Sequence, residues 1–252
     1  MIELAQLTKK FGSKMVVDQA SACFKTGQVT AIIGPNGAGK STLLSMASRL
    51  LVKDSGQVFI DSRELAQWDT RALAKRLAVL RQANNLSMRF SVRELVSFGR
   101  FPHSGGKLSR EDKAVIDKAI DYLDLTGIQH RYLDELSGGQ RQLAFIAMVV
   151  AQDTEYVFLD EPLNNLDIKH SLQIMRNIRV LAHELNKAVV IVIHDINFAS
   201  CYSDHIIVLK QGRVITQGPV NEVIRAEVLS DIYDTDFDIA DIRGQRICLY
   251  YG

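Results

Sequence analysis

A glycine-rich segment that ends in a lysine and two hydroxyl residues gives this sequence its sharpest chemical signal. Residues 34–42 read Gly-Pro-Asn-Gly-Ala-Gly-Lys-Ser-Thr, which matches the Walker A pattern GxxxxGK followed by Ser or Thr. An apolar run precedes the segment at residues 29–33, and a helix-compatible run follows it at residues 42–51. Glycines allow the backbone to curl until its N–H groups face phosphate oxygens, and the helix directs its positive end at the same oxygens. The segment therefore predicts a site for the phosphates of a nucleotide.

Two side chains in this segment have distinct chemical roles. Lys40 can place a positive charge beside the β- and γ-phosphates, and the hydroxyl of Ser41 can ligate Mg²⁺. A chance glycine-rich turn is the alternative, but the strand–loop–helix context argues against it. The other residues predicted to bind the nucleotide here are Gly34, Asn36, Gly37, Ala38, Gly39 and Thr42.

A pair of adjacent carboxylates forms the second candidate cluster. Asp160 and Glu161 follow the apolar run Tyr-Val-Phe-Leu at residues 156–159. Because hard cations take oxygen ligands, we predict that Asp160 holds Mg²⁺ directly or through water. Glu161, one residue further out, can act as a general base on a water in line with the γ-phosphate. Acidic residues also follow strands for structural reasons, but the Walker A segment upstream favours a P-loop protein that hydrolyses nucleotides.

These clusters need rigid elements to position them, and the apolar pattern supplies candidates. Runs at residues 29–33, 157–159 and 189–193 are rich in β-branched residues and indicate strands buried on both faces, as in a parallel sheet covered by helices. A further run lies at residues 206–209, and helical periodicity lies between the runs. The alternation predicts an α/β fold. The helical stripes are Ile116, Ala119, Ile120 and Leu123, then Leu172, Met175, Ile178, Leu181 and Leu185.

Three segments add to this α/β pattern. Residues 1–30 alternate between apolar and polar, which predicts an N-terminal antiparallel β subdomain. Residues 84–151 carry helix signals without a strand and predict an inserted α-helical subdomain. Gln211-Gly212 predicts the turn of a hairpin. Because no repeat or linker-like tract divides the chain, residues 1–252 are expected to form a single domain.

Composition excludes several classes of protein. The sequence has 252 residues, of which 47% are hydrophobic and 23% are charged, as in an ordinary globular protein rather than a disordered or collagen-like one. Its net charge of +1 argues against a protein that mainly coats nucleic acid or anionic lipid. No apolar run reaches the ~18 residues of a membrane-spanning helix, and the N-terminus lacks the apolar core of a signal peptide. Cys23, Cys201 and Cys248 fit no metal-ligand spacing and are interpreted as buried, reduced thiols of a cytoplasmic protein.

The run Leu-Ser-Gly-Gly-Gln at residues 136–140 separates this chain from other P-loop proteins. It matches the LSGGQ signature of ATP-binding cassette (ABC) proteins, and the chain resembles the nucleotide-binding subunit of an ABC transporter from Met1 to about Val228. The resemblance implies a P-loop ABC ATPase core with the two subdomains described above. In that family the signature of one subunit caps ATP held by the Walker A segment of a second copy. The signature residues are Ser137, Gly138, Gly139 and Gln140.

The resemblance also assigns roles to four isolated residues. Phe11 stands where the family stacks an aromatic ring on adenine, although packing in the core is the alternative. Gln82 matches the glutamine that senses Mg²⁺ and the attacking water, and it is counted among the magnesium ligands with Ser41 and Asp160. Asp167 matches the D-loop aspartate. His194 matches the histidine that contacts the γ-phosphate. ATP and Mg²⁺ are the cofactors implied.

Within the family, an importer subunit is the best interpretation. Chromosome and DNA-repair ABC proteins insert coiled coils or zinc modules, translation-associated ones carry two cassettes, and exporters usually fuse membrane helices; none of these features occurs here. The motifs at residues 91–103, 140–148 and 151–153 resemble the importers of iron–siderophore complexes, haem and vitamin B12. The chain is similar to the ferric-siderophore subunits in particular, including the departure Leu-Asn-Asn at residues 163–165. We expect an ATPase that drives iron–siderophore uptake. The alternatives are a haem or vitamin B12 importer ATPase, or a soluble ABC ATPase that transports nothing.

Partners follow from the same resemblance. We expect an ATP-dependent homodimer bound to two membrane permease subunits at the cytoplasmic face of the inner membrane, served by a substrate-binding protein and without nucleic acid. Residues 84–106 would form the groove that receives a permease helix. Its apolar contacts would come from Leu86, Met88, Phe90, Phe98 and Phe101, for which core packing is an equal alternative.

Overall fold

The structure, a computed structural model, describes residues 1–82, 88–164 and 166–250. Leu86 and Asn165, which the sequence analysis singled out, lie outside the described residues. The chain divides into two compact units, one formed by Met1–Trp68 with Ile178–Gly252 and the other by Asp69–Asn177.

The strands alternate with helices along much of the chain, as the apolar pattern predicts. The strands are β1 (Ile2–Phe11), β2 (Lys14–Phe24), β3 (Gln28–Ile33), β4 (Ser55–Ile60), β5 (Arg63–Glu64), β6 (Leu77–Leu80), β7 (Tyr156–Asp160), β8 (Ala188–Val192), β9 (His205–Lys210), β10 (Arg213–Pro219), β11 (Asp238–Ile242) and β12 (Gln245–Leu249). The helices are α1 (Lys40–Ala47), α2 (Thr70–Ala74), α3 (Val92–Phe98), α4 (Phe101–Ser104), α5 (Arg110–Tyr122), α6 (Gly138–Ala151), α7 (Ile168–His183), α8 (Ile196–Tyr202), α9 (Val220–Val223) and α10 (Ala226–Tyr233).

The first unit contains the predicted N-terminal antiparallel sheet. Its strands lie in the order β2-β1-β4-β5, and each neighbouring pair is antiparallel. Ile2 and Leu4 of β1 are buried on either side of the exposed Glu3, which is the period-two pattern of a sheet with one face in the core, and Leu7 is buried after a register shift between Leu4 and Leu7. The prediction of an antiparallel β subdomain is confirmed.

A second layer of strands in the first unit positions the segments that carry chemistry. Strands β10, β9, β3 and β8 lie in that order, with β3 parallel to both β8 and β9. All five residues of β8 are buried, as expected for a parallel strand covered on both faces. Because parallel strands end at the same edge of a sheet, the segments that follow β3 and β8 begin side by side.

Two hairpins complete the first unit. The hairpin predicted at Gln211-Gly212 joins β9 to β10, and both turn residues have positive φ, as tight hairpin turns require. Strands β11 and β12 form a second hairpin that the sequence analysis did not predict. The side chain of Asn197 on α8 bonds both backbone groups of Cys248 on β12, at 3.1 and 2.7 Å, and so ties this hairpin to the unit.

The second unit contains the predicted helical insertion. Within it β6 and β7 pair in parallel, and the described residues between 88 and 151 form helices and short turns without a strand. Helix α6 is the central element, because it packs against α3 and α5 and buries an apolar face. A buried ion pair, Arg100 Nε to Asp112 Oδ1 at 2.8 Å, joins the start of α4 to α5. Hydrogen bonds from Ser109 and then from Arg100 hold the pKa of Asp112 below its ordinary value.

Two details differ from the sequence expectation. The apolar stripe of α7 ends at Leu181, and Leu185 lies beyond the helix with an exposed side chain, since the helix stops before another turn can face the core. Cys248 is buried, but Cys23 and Cys201 are only half-buried, and all three thiols are free. No helix within the described residues is long and apolar enough to cross a membrane.

Candidate nucleotide site

The glycine-rich segment forms the connection between β3 and α1 in the first unit. Gly34 has φ +142°, and a Cβ atom built there would lie 1.9 Å from the carbonyl oxygen of Leu209. Gly39 has φ +101°, and its Cβ would lie 2.5 Å from the carbonyl oxygen of Val16. Neither position can hold a side chain without displacing backbone. The loop is therefore a backbone surface, whose N–H groups are what an anion would meet.

Lys40 begins helix α1 and is buried at the base of this loop. Its Nζ donates to the carbonyl oxygens of Gly34 at 2.8 Å and Pro35 at 3.0 Å. The ammonium group is thus held against the loop, not in bulk water. Ser41 and Thr42 follow in the first turn of α1, where the described helix carries no acidic residue that would repel phosphate.

His194 lies at the same edge of the first unit as the glycine loop. It comes two residues after β8, the strand that pairs with β3, and its side chain is exposed. The next residue, Asp195, caps helix α8 by accepting a hydrogen bond from the backbone N of Phe198 at 2.9 Å. This cap fixes the chain on one side of His194 while the strand fixes it on the other.

Phe11 is the last residue of strand β1, and its ring is exposed to solvent. It is 51% exposed, and Nζ of Lys9 lies 5.6 Å from the ring centroid. Phe11 does not pack in the core, which was the alternative for this residue. An exposed aromatic face is available for stacking.

The carboxylates of the second unit follow β7, beside the glutamine that follows β6. Asp160 is the buried last residue of β7, and Glu161 is half-buried. Nε2 of Gln82 donates to Oε2 of Glu161 at 2.5 Å. Nδ2 of Asn164 donates to the same oxygen. The parallel pairing of β6 and β7 explains the meeting of Gln82 with Glu161, since both strands end at one edge.

The signature residues form the start of helix α6. Ser137 is the N-cap: its Oγ accepts from the backbone N of Gln140, and Oε1 of Gln140 accepts from the backbone N of Ser137, both at 3.3 Å. This capping box fixes the turn that carries Gly138 and Gly139. A Cβ at Gly139 would lie 2.5 Å from the ring of His170.

His170 also connects the signature turn to the predicted D-loop. Oδ1 of Asp167 accepts hydrogen bonds from the backbone N and from the ring Nδ1 of His170, each at 2.8 Å. The backbone hydrogen bond first, and the side-chain one second, lower the pKa of Asp167. Signature turn and D-loop are therefore in contact through one imidazole within the second unit.

Sequence reasoning did not assign a role to either Asn164 or His170. The three-residue spacing from Asp167 to His170 is the spacing of a helix cap, and this was the available signal for His170. Asn164 lay inside the noted departure at residues 163–165, but nothing in the spacing indicated which side chain it would meet.

The oxygen donors present suit Mg²⁺. Within the described ranges no three His, Cys, Asp or Glu side chains gather to hold a metal ion. A cation held by few protein groups, with water and phosphate completing the shell, is the usual magnesium arrangement. The hydroxyl of Ser41, the amide oxygen of Gln82 and the carboxylate of Asp160 are hard donors of the required kind.

Apolar side chains of the predicted permease groove are exposed in the second unit. Met88, Phe98 and Phe101 have large exposed fractions, whereas Phe90 is half-buried and contacts Phe98 edge to face at 5.0 Å between ring centroids. Core packing does not account for the three exposed side chains.

Comparison with known proteins assigns the class. The family model described as ABC transporter matches residues 17–164, more than half of the chain. The chain belongs to this family. It is accordingly an ABC-type ATPase, an enzyme that binds and hydrolyses ATP.

The chain is also similar to individual proteins of this family. The chain is 53% identical over 252 residues to the petrobactin import ATP-binding protein YclP of Bacillus subtilis (strain 168), with 100% of each chain covered. It is 47% identical to the petrobactin import ATP-binding protein FatE of Bacillus anthracis, over 95% of this chain and 96% of that one. Among solved structures it is similar to MJ0796, a dimeric bacterial ABC transporter cassette, with 30% identity, a TM-score of 0.78, and coverage of 87% of this chain and 99% of that chain.

Proposed function

We propose that this protein is the ATP-hydrolysing subunit of an importer that takes up iron–siderophore complexes through membrane permease subunits. The observation that carries the proposal is the 53% identity to YclP over the full length of both chains, because YclP is named for petrobactin import. A second relative named for the same solute, FatE, supports it. Petrobactin is therefore the first siderophore to test.

The first unit supplies the nucleotide-binding half of the proposed mechanism. The exposed ring of Phe11 stacks on adenine, and the loop of Gly34, Asn36, Gly37, Ala38 and Gly39 surrounds the phosphates with backbone N–H groups. Lys40 neutralises charge on the β- and γ-phosphates, with Ser41 and Thr42 at the start of α1. His194 contacts the γ-phosphate.

The second unit supplies the base for hydrolysis. Glu161 accepts a proton from a water molecule as the water oxygen bonds to the γ-phosphorus. The bond from that phosphorus to the bridging oxygen breaks, and ADP and inorganic phosphate leave. Ser41, Gln82 and Asp160 are proposed to hold Mg²⁺, which neutralises charge that builds on the phosphate oxygens when it is bound.

A second copy of the chain is proposed to complete each site. Ser137, Gly138, Gly139 and Gln140 of one copy would cap ATP bound by the other, with Asp167 beside the interface. The similarity to a dimeric cassette supports this arrangement. Such a dimer would bind two permease subunits at the cytoplasmic face of the membrane through the exposed Met88, Phe98 and Phe101, with Phe90 beside them, and a substrate-binding protein would deliver the solute from outside.

Uptake in a deletion strain tests the proposed solute. We expect loss of ⁵⁵Fe-petrobactin uptake on deletion, full recovery with the wild-type gene, and no recovery with E161Q expressed at the same level. Labelled haem and vitamin B12 are measured in parallel. Loss of haem or vitamin B12 uptake with intact siderophore uptake would contradict the proposed solute and identify haem or vitamin B12 as the transported compound.

Purification separates a transporter subunit from an ABC ATPase without a transport role. The full chain, tagged and extracted in detergent, should retain integral membrane subunits. A variant with Met88 and Phe101 replaced by Ser should retain fewer, while the exposed-surface control Lys118→Ser should retain them all. Absence of membrane subunits from the wild-type preparation would contradict the proposed partnership.

A further inference from the structure

The side-chain amides of Gln82 and Asn164 both donate hydrogen bonds to the carboxylate of Glu161. The proposed mechanism gives a role to Gln82, as a magnesium ligand, but none to Asn164. Nε2 of Gln82 donates to Oε2 at 2.5 Å, and Nδ2 of Asn164 donates to the same Oε2. Gln82 arrives from the end of β6, whereas Asn164 lies three residues after Glu161 on the same loop. The base is therefore held from two directions by two different elements.

The local backbone explains how Asn164 reaches the carboxylate. Glu161 has φ +51°, the left-handed conformation, which turns the chain sharply at the end of β7. The backbone N of Asn164 then donates to the carbonyl oxygen of Glu161 at 3.3 Å and closes the turn. A non-glycine residue in this conformation costs free energy, so the turn persists because its contacts compensate for that cost.

We propose that Asn164 is a positioning residue for ATP hydrolysis: with Gln82 it fixes Oε2 of Glu161 and so holds in one orientation the carboxylate that receives the proton of the attacking water. The inference rests on the proposed function of Glu161 as general base. Two N–H donors on one carboxylate oxygen occupy the lone pairs of that oxygen and stop the group from rotating. A base held in one orientation does not need to be reoriented in each turnover, which lowers the barrier for proton transfer.

The competing explanation is that Asn164 only shapes the turn. Asp has the same shape as Asn and favours the same turns, but its ionised side chain has no N–H to donate. N164D therefore keeps the form of the residue and removes the proposed contact. N164A removes both.

Steady-state ATPase kinetics of the purified full-length chain test the proposal. We expect N164A to lower kcat about tenfold with the KM for ATP unchanged, as for loss of one hydrogen bond to a charged group. We expect N164D to lower kcat at least as much, because it also places a negative charge beside Glu161. The matched control is Q173A, which removes another amide-to-carboxylate hydrogen bond of the second unit, Gln173 Nε2 to Asp124 Oδ2 at 3.2 Å, and should leave kcat unchanged.

A double variant shows whether Asn164 acts through Glu161. In an E161A background, N164A should have no further effect on the residual turnover. The inference is overturned if N164D keeps wild-type kcat, or if N164A lowers the residual rate of E161A by the same factor as in the wild type. Wild-type turnover by E161A would overturn the general-base assignment itself, whereas an inactive E161A with a fully active N164A would overturn only the inference about Asn164.

Discussion

The glycine loop of the first unit and the carboxylate turn of the second unit are built from different materials. In the loop, Gly34 and Gly39 bring backbone against backbone, and Lys40 is buried and bonded to loop carbonyls. At the carboxylate turn, Glu161 is half-buried and is held by the ends of the exposed side chains of Gln82 and Asn164. One region is fixed by the main chain and the other by side-chain amides.

The difference indicates how binding and chemistry are divided. A phosphate site made of backbone is already in place before the nucleotide arrives, so it costs little to organise, but it tolerates few substitutions. A base held by side chains can be altered without disturbing the fold. Substitutions in the loop should therefore lower stability or affinity, and substitutions at the turn should lower turnover alone.

The largest expected effect comes from Glu161→Gln at the carboxylate turn. Removing the general base should lower kcat by about a thousandfold, within the range of general-base contributions, while ATP still binds. Nucleotide affinity from fluorescence titration and turnover from phosphate release provide the check. Turnover near the wild-type rate would contradict the assignment of catalysis to the carboxylate turn.

Lys40→Ala tests the glycine loop, where we expect a substitution to lower nucleotide affinity. Loss of a charge held at the phosphates should weaken ATP binding about a hundredfold, which corresponds to about 3 kcal/mol. Isothermal titration gives the affinity, and Lys118→Ala, at an exposed position of α5, is the control that should bind normally. Unchanged affinity in Lys40→Ala would contradict the phosphate role.

Gly34→Ala measures the stability cost of the backbone-built loop. The added Cβ would lie 1.9 Å from a carbonyl oxygen, so we expect about 2 kcal/mol of lost stability without nucleotide. Gly37→Ala is the matched control, because its φ is also positive but nothing lies within 4 Å of the added atom. Chemical denaturation compares the two, and equal losses would show that backbone conformation, not the close approach, sets the cost.

His170→Ala has the smallest expected effect. Alanine keeps the backbone donor and loses the side-chain donor, so the lowered pKa of Asp167 should rise part of the way to its ordinary value. A lowered pKa in the folded state stabilises the fold above the unfolded pKa of about 4, and that stabilisation is lost as pH falls through the folded value. The variant should thus be less stable than the wild type at neutral pH and approach it in acid.

Carbon-detected NMR titration of the Asp167 carboxyl group checks the pKa directly, and melting curves at neutral and acidic pH check the linkage. An unchanged Asp167 pKa would show that the imidazole contributes nothing at this position.

The same contrast explains what could be predicted from sequence. The glycine loop was predictable because its backbone conformation demands glycine at fixed spacing after a strand. The N-terminal sheet was predictable from its alternation of apolar and polar residues, and the core strands β3, β7 and β8 were predictable from continuous apolar runs rich in β-branched residues. The short strand β6, Leu-Ala-Val-Leu, was not, since four apolar residues carry no period that separates strand from helix.

The contacts of the carboxylate turn could not be predicted. The side chain of Asn164 contacts Glu161 only because Glu161 adopts the left-handed backbone conformation. The ring of His170 contacts Gly139 only because the start of α7 packs beside α6. Exposure of Phe11 was likewise undetermined by its sequence, because an aromatic residue in a strand is equally compatible with either face. The oxygen ligands proposed for Mg²⁺ and the roles of the signature residues stay predictions.

The contact between Gly139 and the imidazole of His170 constrains how this chain can diverge. An alanine at the signature position becomes sterically acceptable only after the histidine has been replaced by something smaller, so in any lineage or library the order of the two changes matters. A designer who exchanges signature turns between cassettes should therefore transplant the matching residue of the following helix with them.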